Sequence, residues 1–112
     1  MPLSKDRNLI QNEIQRMVDL IVERFRPEKI VLFGSHARGD AGKDSDVDLL
    51  VIMPVKGSKR EKRVEIRSAL RGIRIPKDII ISTPEEFEWR RRIVGTIEQP
   101  AARDGKILYA RS

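Results

Sequence analysis

From Ile10 onward the apolar residues Ile10, Ile14, Met17, Val18, Ile21 and Phe25 return every three or four positions. Asn12, Glu13, Gln15, Arg16, Glu23 and Arg24 fill the gaps. That period predicts an amphipathic helix over Asp6–Phe25 that covers one face of a sheet. Ser4 or Asp6 would cap it, and Pro27 ends it, because the residue before a proline is pushed out of helical geometry. The pattern then becomes strand-like. Ile30–Phe33 is short, wholly apolar and rich in β-branched residues, which predicts a buried strand, closed by Gly34-Ser35. His36–Gly39 predicts one turn of helix. Asp40–Ser45, made of Gly, Asp, Lys, Ala and Ser, predicts a loop. Val47–Met53 is apolar on both faces beyond Asp48, the pattern of a strand in the middle of a covered sheet, and Pro54 stops it.

The second half continues in the same alternation. A basic loop over Val55–Arg60 leads to a helix over Glu61–Leu70, with Val64, Ile66 and Leu70 as buried candidates and Gly72 as its stop. Lys77–Ser82 predicts a third strand. Thr83-Pro84-Glu85-Glu86 is a helix start: threonine caps, proline takes the first helical position and Glu86 closes a capping box. Helices follow over Pro84–Val94 and from about Thr96 to Asp104, with Gly105 as the stop. Ile107–Ala110 predicts a short last strand. No repeat or low-complexity segment interrupts the series, so residues 1–112 are expected to form a single small domain with one modest core.

Composition narrows the function. Twenty-three Lys and Arg against 17 Asp and Glu give a net charge of +6, with 36% of residues charged, which permits an acidic partner without requiring one. Aromatic residues, at 4%, are too few for a base-stacking platform, so nucleic acid is not the expected partner. The chain has no cysteine, which excludes disulfides, thiolate metal sites and cysteine nucleophiles and fits a cytoplasmic setting. No signal-peptide pattern opens the chain, and no apolar run reaches the length of a membrane span.

The candidate chemistry lies in Ile30–Met53. Asp46 and Asp48 stand two residues apart, and on a strand such residues share a face, with α-carbons roughly 6.6 Å apart. Two unpaired carboxylates about 4–5 Å apart repel by roughly 3–4 kcal/mol at an effective dielectric of 20. Asp40 and Asp44 add to the negative charge. A divalent cation relieves this, and an all-oxygen donor set selects a hard ion, magnesium before manganese. Solvated acids capping a strand are the plain alternative. Gly34 leaves space for a phosphate to approach the backbone, Ser35 offers a hydroxyl and an amide, a following helical turn offers free amides, and Arg38 adds a charge-assisted contact. Read alone, Gly34-Ser35 is a simple turn. Read with the aspartates, it places phosphates beside a metal, as phosphoryl and nucleotidyl transfer require. Asp78, on the otherwise apolar strand PKDIIIS, is the candidate third carboxylate. Its plain alternative is a strand-entry acid paired with Lys77 or another neighbour.

Gly34-Ser35, ten residues, then Asp46-Val47-Asp48 resembles the signature of the polymerase-beta-like nucleotidyltransferase superfamily. The longer run LFGSHARGDAGKDSDVDLLV is similar to its minimal nucleotidyltransferase branch. The lead helix, PKDIIISTPEEF and GKILYA extend the likeness over most of the chain. The resemblance implies an α+β fold, a small mixed sheet with helices packed on it. It implies that Asp46, Asp48 and Asp78 hold the metals and carry catalysis, Asp78 being the base for the attacking group. It further implies that Gly34 and Ser35 contact the nucleotide phosphates. It also implies magnesium and ATP, and transfer of AMP to a hydroxyl. The acceptor would be a tyrosine of a small helical HEPN toxin, which the chain would silence as an antitoxin.

Two other functions compete. The chain would serve as a binding subunit of such a complex if its nucleotide site were vestigial, with Arg90–Arg92 and Lys56–Arg63 as its acidic-partner face or as plain solvated surface. Transfer to a small molecule is the other, although such enzymes carry a further domain. His36 reads as a polar loop residue rather than a metal ligand, Trp89 as a partly buried or partner-facing indole, and Tyr109 as packing on the last strand. Self-association is open at this level.

Overall fold

The computed structural model describes residues 2–42 and 44–111, with the side chains of residues 2–8 left aside. Its elements, in chain order, are α1 (Pro2–Phe25), β1 (Lys29–Phe33), α2 (Ser35–Arg38), β2 (Val47–Ile52), α3 (Lys59–Ala69), β3 (Lys77–Ser82), α4 (Pro84–Arg90), α5 (Glu98–Asp104) and β4 (Lys106–Ala110). The strands form one mixed sheet in the order β3-β2-β1-β4. β1 is antiparallel to β2 and to β4, and β2 is parallel to β3. The expected α+β architecture is therefore the observed one. No helix among the described residues is long and apolar enough to cross a membrane.

Alternation along the strands divides the apolar side chains between two faces. Ile30, Leu32, Val47, Leu49, Val51, Ile79 and Ile81 pack against Ile14, Met17, Val18 and Ile21 of α1 and against Ile66 and Leu70 of α3. Val31, Leu50 and Ile52 point the other way, onto Phe87 of α4 and Ala101 of α5. Each large side chain fully buried here contributes about 1.5–3 kcal/mol, so most of the hydrophobic stabilisation lies under α1 and α3. β2 is covered on both faces, as its unbroken apolar run requires.

Several element ends differ from expectation. α1 begins at Pro2, so Ser4 and Asp6 stand inside it rather than at its cap, and their side chains lie outside the described residues. The chain leaves α1 through Arg26 in the left-handed region at φ 50°. α3 starts two residues early, because Ser58 Oγ accepts the Glu61 amide at 3.2 Å. Val64, expected to be buried, is 57% exposed. Ile66 and Leu70 share one side of α3, and a residue two places before Ile66 lies on the other side. α4 has the expected capping box between Thr83 and Glu86 but ends at Arg90, not Val94. There Thr96 Oγ1 donates to the Arg90 carbonyl at 2.7 Å and accepts the Gln99 amide at 3.1 Å. That turn moves the start of α5 to Glu98. Trp89 is exposed, and Tyr109 packs against the main core.

Gly105 is required by close approach. A β-carbon there would overlap the Ala101 carbonyl and Val31 Cγ1, so glycine lets the end of α5 rest on β1. A buried polar link holds the other end of this layer. Glu98 accepts from Ser82 Oγ and from Arg90 Nε, both at 3.1 Å, tying α5 to β3 and α4. Glu98→Ala leaves both donors without their carboxylate and is expected to lower stability by about 2–3 kcal/mol, read as a lower urea midpoint with an unchanged slope.

Candidate active site

Strand pairing assembles the site. Phe33, the last residue of β1, lies opposite Asp48, and Asp48 lies beside Asp78 across the parallel β2–β3 pair. Three positions thus run across one end of the sheet: Gly34 after β1, Asp48 on β2 and Asp78 on β3. By alternation Asp48 and Asp78 share the face of Leu50 and Ile80, the α4–α5 side. Asp46 stands one residue before β2 and is exposed.

Gly34 fits this place for two reasons. Its φ of 75° and ψ of −156° belong to a region that only glycine occupies freely. A β-carbon would also overlap Asp48 Oδ2. The backbone therefore runs directly against the carboxylate, and Ser35 opens α2 next to it. The following loop is pinned. His36 Nε2 donates to the Ser45 carbonyl at 3.2 Å, and Ser45 Oγ accepts the Gly42 amide at 2.8 Å. His36 thus acts as a loop tie immediately before Asp46. Arg38 is exposed and pairs with Asp40 at 3.2 Å, so a phosphate would have to draw it from that partner.

Asp48 carries the electrostatic load. Burial raises its pKa above the usual aspartate value, and the charges of Asp78 and Asp46 raise it further, against weaker opposition from His36 and Arg38. Asp78 is held from outside by Arg63 Nη2, 3.2 Å from its Oδ1. Lys77 is not its partner; Lys77 Nζ bonds the Ile73 carbonyl at 2.5 Å and the Ile75 carbonyl at 3.3 Å. No three His, Cys, Asp or Glu side chains among the described residues stand close enough to share one metal ion. By chemistry the residues would suit a hard divalent cation: the groups they offer are carboxylates, and Asp48 is the one whose charged form a cation would favour. Sequence reasoning had placed Arg63 only within a basic surface run. No local signal marks a pairing made 15 residues away by a helix folded onto the sheet.

Residues 14–102 match the nucleotidyltransferase domain family. The chain belongs to this family. Two relatives from Methanocaldococcus jannaschii, each named "Putative protein adenylyltransferase", are 40% identical over 55 residues and 39% identical over 44. These stretches cover 49% and 38% of this chain, and 54% and 44% of the relatives, so the chain matches about half the length of these curated relatives. A nucleotidyltransferase structure from Sulfolobus solfataricus superposes with a TM-score of 0.62 at 25% identity, over 89% of this chain and 79% of that one. A toxin–antitoxin structure with AMP-PNP gives 0.63 at 20% identity, over 90% and 73%. A tri-AMPylated Shewanella oneidensis HEPN toxin in complex with its MNT antitoxin gives 0.59 at 17%, over 90% and 72%. At these identities the two toxin–antitoxin structures establish a shared fold.

Two stability measurements follow. Because the folded state favours protonated Asp48, it holds a proton that the unfolded chain releases between the usual aspartate value and the raised one. Stability therefore falls as pH rises through that interval. Asp48→Asn removes the penalty, so the variant should unfold at higher urea than the wild type at pH 7, with the gap closing near about pH 3. Gly34→Ala should cost at least about 1–2 kcal/mol from backbone conformation alone, and its clash should displace Asp48, visible as a shift of the Asp48 carboxyl resonance.

Proposed function

We propose that this chain transfers AMP from ATP to a protein hydroxyl, with magnesium held by Asp46 and Asp48, and by Asp78 once its carboxylate leaves Arg63. The observation that carries this reading is the strand register that sets Asp48 beside Asp78 while Gly34 runs against Asp48 from β1. Magnesium would supply positive charge to the phosphate oxygens and the leaving group.

The chain's own residues take complementary parts. Gly34 and Ser35 receive the triphosphate tail where no side chain obstructs it, and Arg38 exchanges Asp40 for a phosphate oxygen. Asp78 takes the proton of the acceptor hydroxyl. The acceptor oxygen bonds to the α-phosphorus, the bond from that phosphorus to the bridging oxygen breaks, and pyrophosphate leaves. The acceptor class is taken from the names of the relatives, protein adenylyltransferases, and from the AMPylated HEPN toxin bound to a fold neighbour. A tyrosine of a HEPN-type toxin is accordingly the proposed acceptor, and the chain the antitoxin. One observation favours a partner-binding role in addition: Trp89, Ile93, Val94 and Ile97 are exposed in and after α4, in a turn that hydrogen bonds hold in shape.

The test is incubation with ATP labelled in the α-phosphate, magnesium and a HEPN protein encoded beside this chain. Label should appear on that protein. Asp46→Asn and Asp48→Asn should abolish it, and Asp78→Asn should slow it by roughly 10²–10⁴-fold, the range of a lost general base. Transfer undiminished in Asp48→Asn would overturn the proposal.

A further inference from the structure

We infer that the acceptor hydroxyl reaches Asp78 across the open edge of β3, and that the protein segment carrying it is acidic, recognised by Arg63, Lys59 and Arg60. This rests on the transfer reading above.

Displacement at phosphorus is in line, with the attacking oxygen opposite the leaving group. Gly34, Asp48 and Asp78 succeed one another across the sheet, and adjacent strands are about 4.8 Å apart. With the triphosphate tail at Gly34-Ser35, pyrophosphate departs on the β1 side. The hydroxyl must then enter from the β3 side, and β3 is an edge strand.

That edge has a defined chemistry. α3 packs on the face opposite Asp78, yet two of its cations, one helical turn apart, reach around the edge. Arg63 meets Asp78 at 3.2 Å, and Lys59 meets Glu86 of α4 at 2.9 Å. With Arg60 they line a groove of about 230 Å³ whose other wall is Ile79, Ile80 and Ile81. The Val47 amide bonds the Pro76 carbonyl, and the Met53 amide bonds the Ser82 carbonyl. By alternation, the backbone groups of Lys77, Ile79 and Ile81 face outward.

An extended segment arriving here meets ladder groups to pair with and three cations. Its carboxylates replace Asp78 and Glu86 as partners of Arg63 and Lys59. That exchange releases Asp78 as the hydroxyl arrives to give up its proton. A lysine-rich segment is repelled and leaves Asp78 pinned.

The test is an NMR titration of the ¹⁵N-labelled full chain, without nucleotide or metal. The probes are nine-residue peptides centred on tyrosine and flanked by threonine with glutamate, glutamine or lysine. The glutamate peptide should move the amide signals of Lys77, Ile79 and Ile81. It should bind about five-fold more tightly than the glutamine peptide, the effect of one or two exposed ion pairs. Arg63→Glu should erase that preference. Arg103→Glu, the same change in net charge on α5, should keep it. Absent binding, equal affinities, shifts away from β3, or equal losses in both variants would overturn the inference. Asp48→Asn should dock the glutamate peptide as the wild type does. Docking without label transfer from the wild-type chain would count against the transferase reading alone.

Discussion

A carboxylate is fixed at the end of the most deeply buried strand, between two others, and the fold gives it no means of moving away. β2 is paired on both sides and covered on both faces, with Leu49, Leu50 and Val51 fully buried. Its register cannot slip by one residue without turning every side chain to the wrong face. The same packing that stabilises the sheet therefore forces Asp48 beside Asp78 and against the backbone of Gly34. The electrostatic strain at Asp48 is a consequence of a good core. Functional sites gather at positions where local electrostatics oppose an otherwise self-consistent structure.

What the sequence disclosed and what it withheld divide along the range of the interactions. The strands were legible because their periodicity is local, whereas the pairing of β2 with β3 was left open, since two apolar runs separated by a helix do not specify their partners. Thr83-Pro84-Glu85-Glu86 was legible because a capping box is written in four consecutive residues. The early start of α3 was written the same way, as Ser58 three residues before Glu61, but the apolar pattern drew attention to Glu61 instead. The end of α4 was hidden, since Arg91–Val94 contains neither proline nor glycine and the stop comes from Thr96 bonding back to Arg90. Val64 misled because an apolar residue near two buried ones looks buried until its angle around the helix is counted. The Arg63–Asp78 pair was out of reach, because it exists only once α3 has folded across the sheet.

Membership in the nucleotidyltransferase family concerns the chemistry at one end of the sheet. It leaves the choice of acceptor to the surroundings. The toxin–antitoxin and Sulfolobus structures share the architecture at 17–25% identity, so the scaffold tolerates extensive change of surface. Specificity in such a scaffold falls to side chains that border the site without forming it. Here the border on the β1 side is glycine and serine, which offer backbone and a hydroxyl. On the β3 side it is arginine and lysine. The two sides of Asp48 therefore differ in chemistry.

Arg63 also clarifies what the site lacks. A guanidinium already pairs with Asp78, and that pair leaves the charge at Asp48 in place. At Asp48, burial and the charges of Asp78 and Asp46 raise the pKa against weaker opposition from His36 and Arg38. Arg63 pairs with Oδ1 of Asp78 on the edge strand, where both side chains are partly exposed and the pair is screened by water. No lysine or arginine among the described residues forms an ion pair with Asp46 or Asp48, and a β-carbon at Gly34 would overlap Asp48 Oδ2. Among the described residues the sheet thus sets Asp48 against the like charges of Asp78 and Asp46, while the ion pair falls on Asp78.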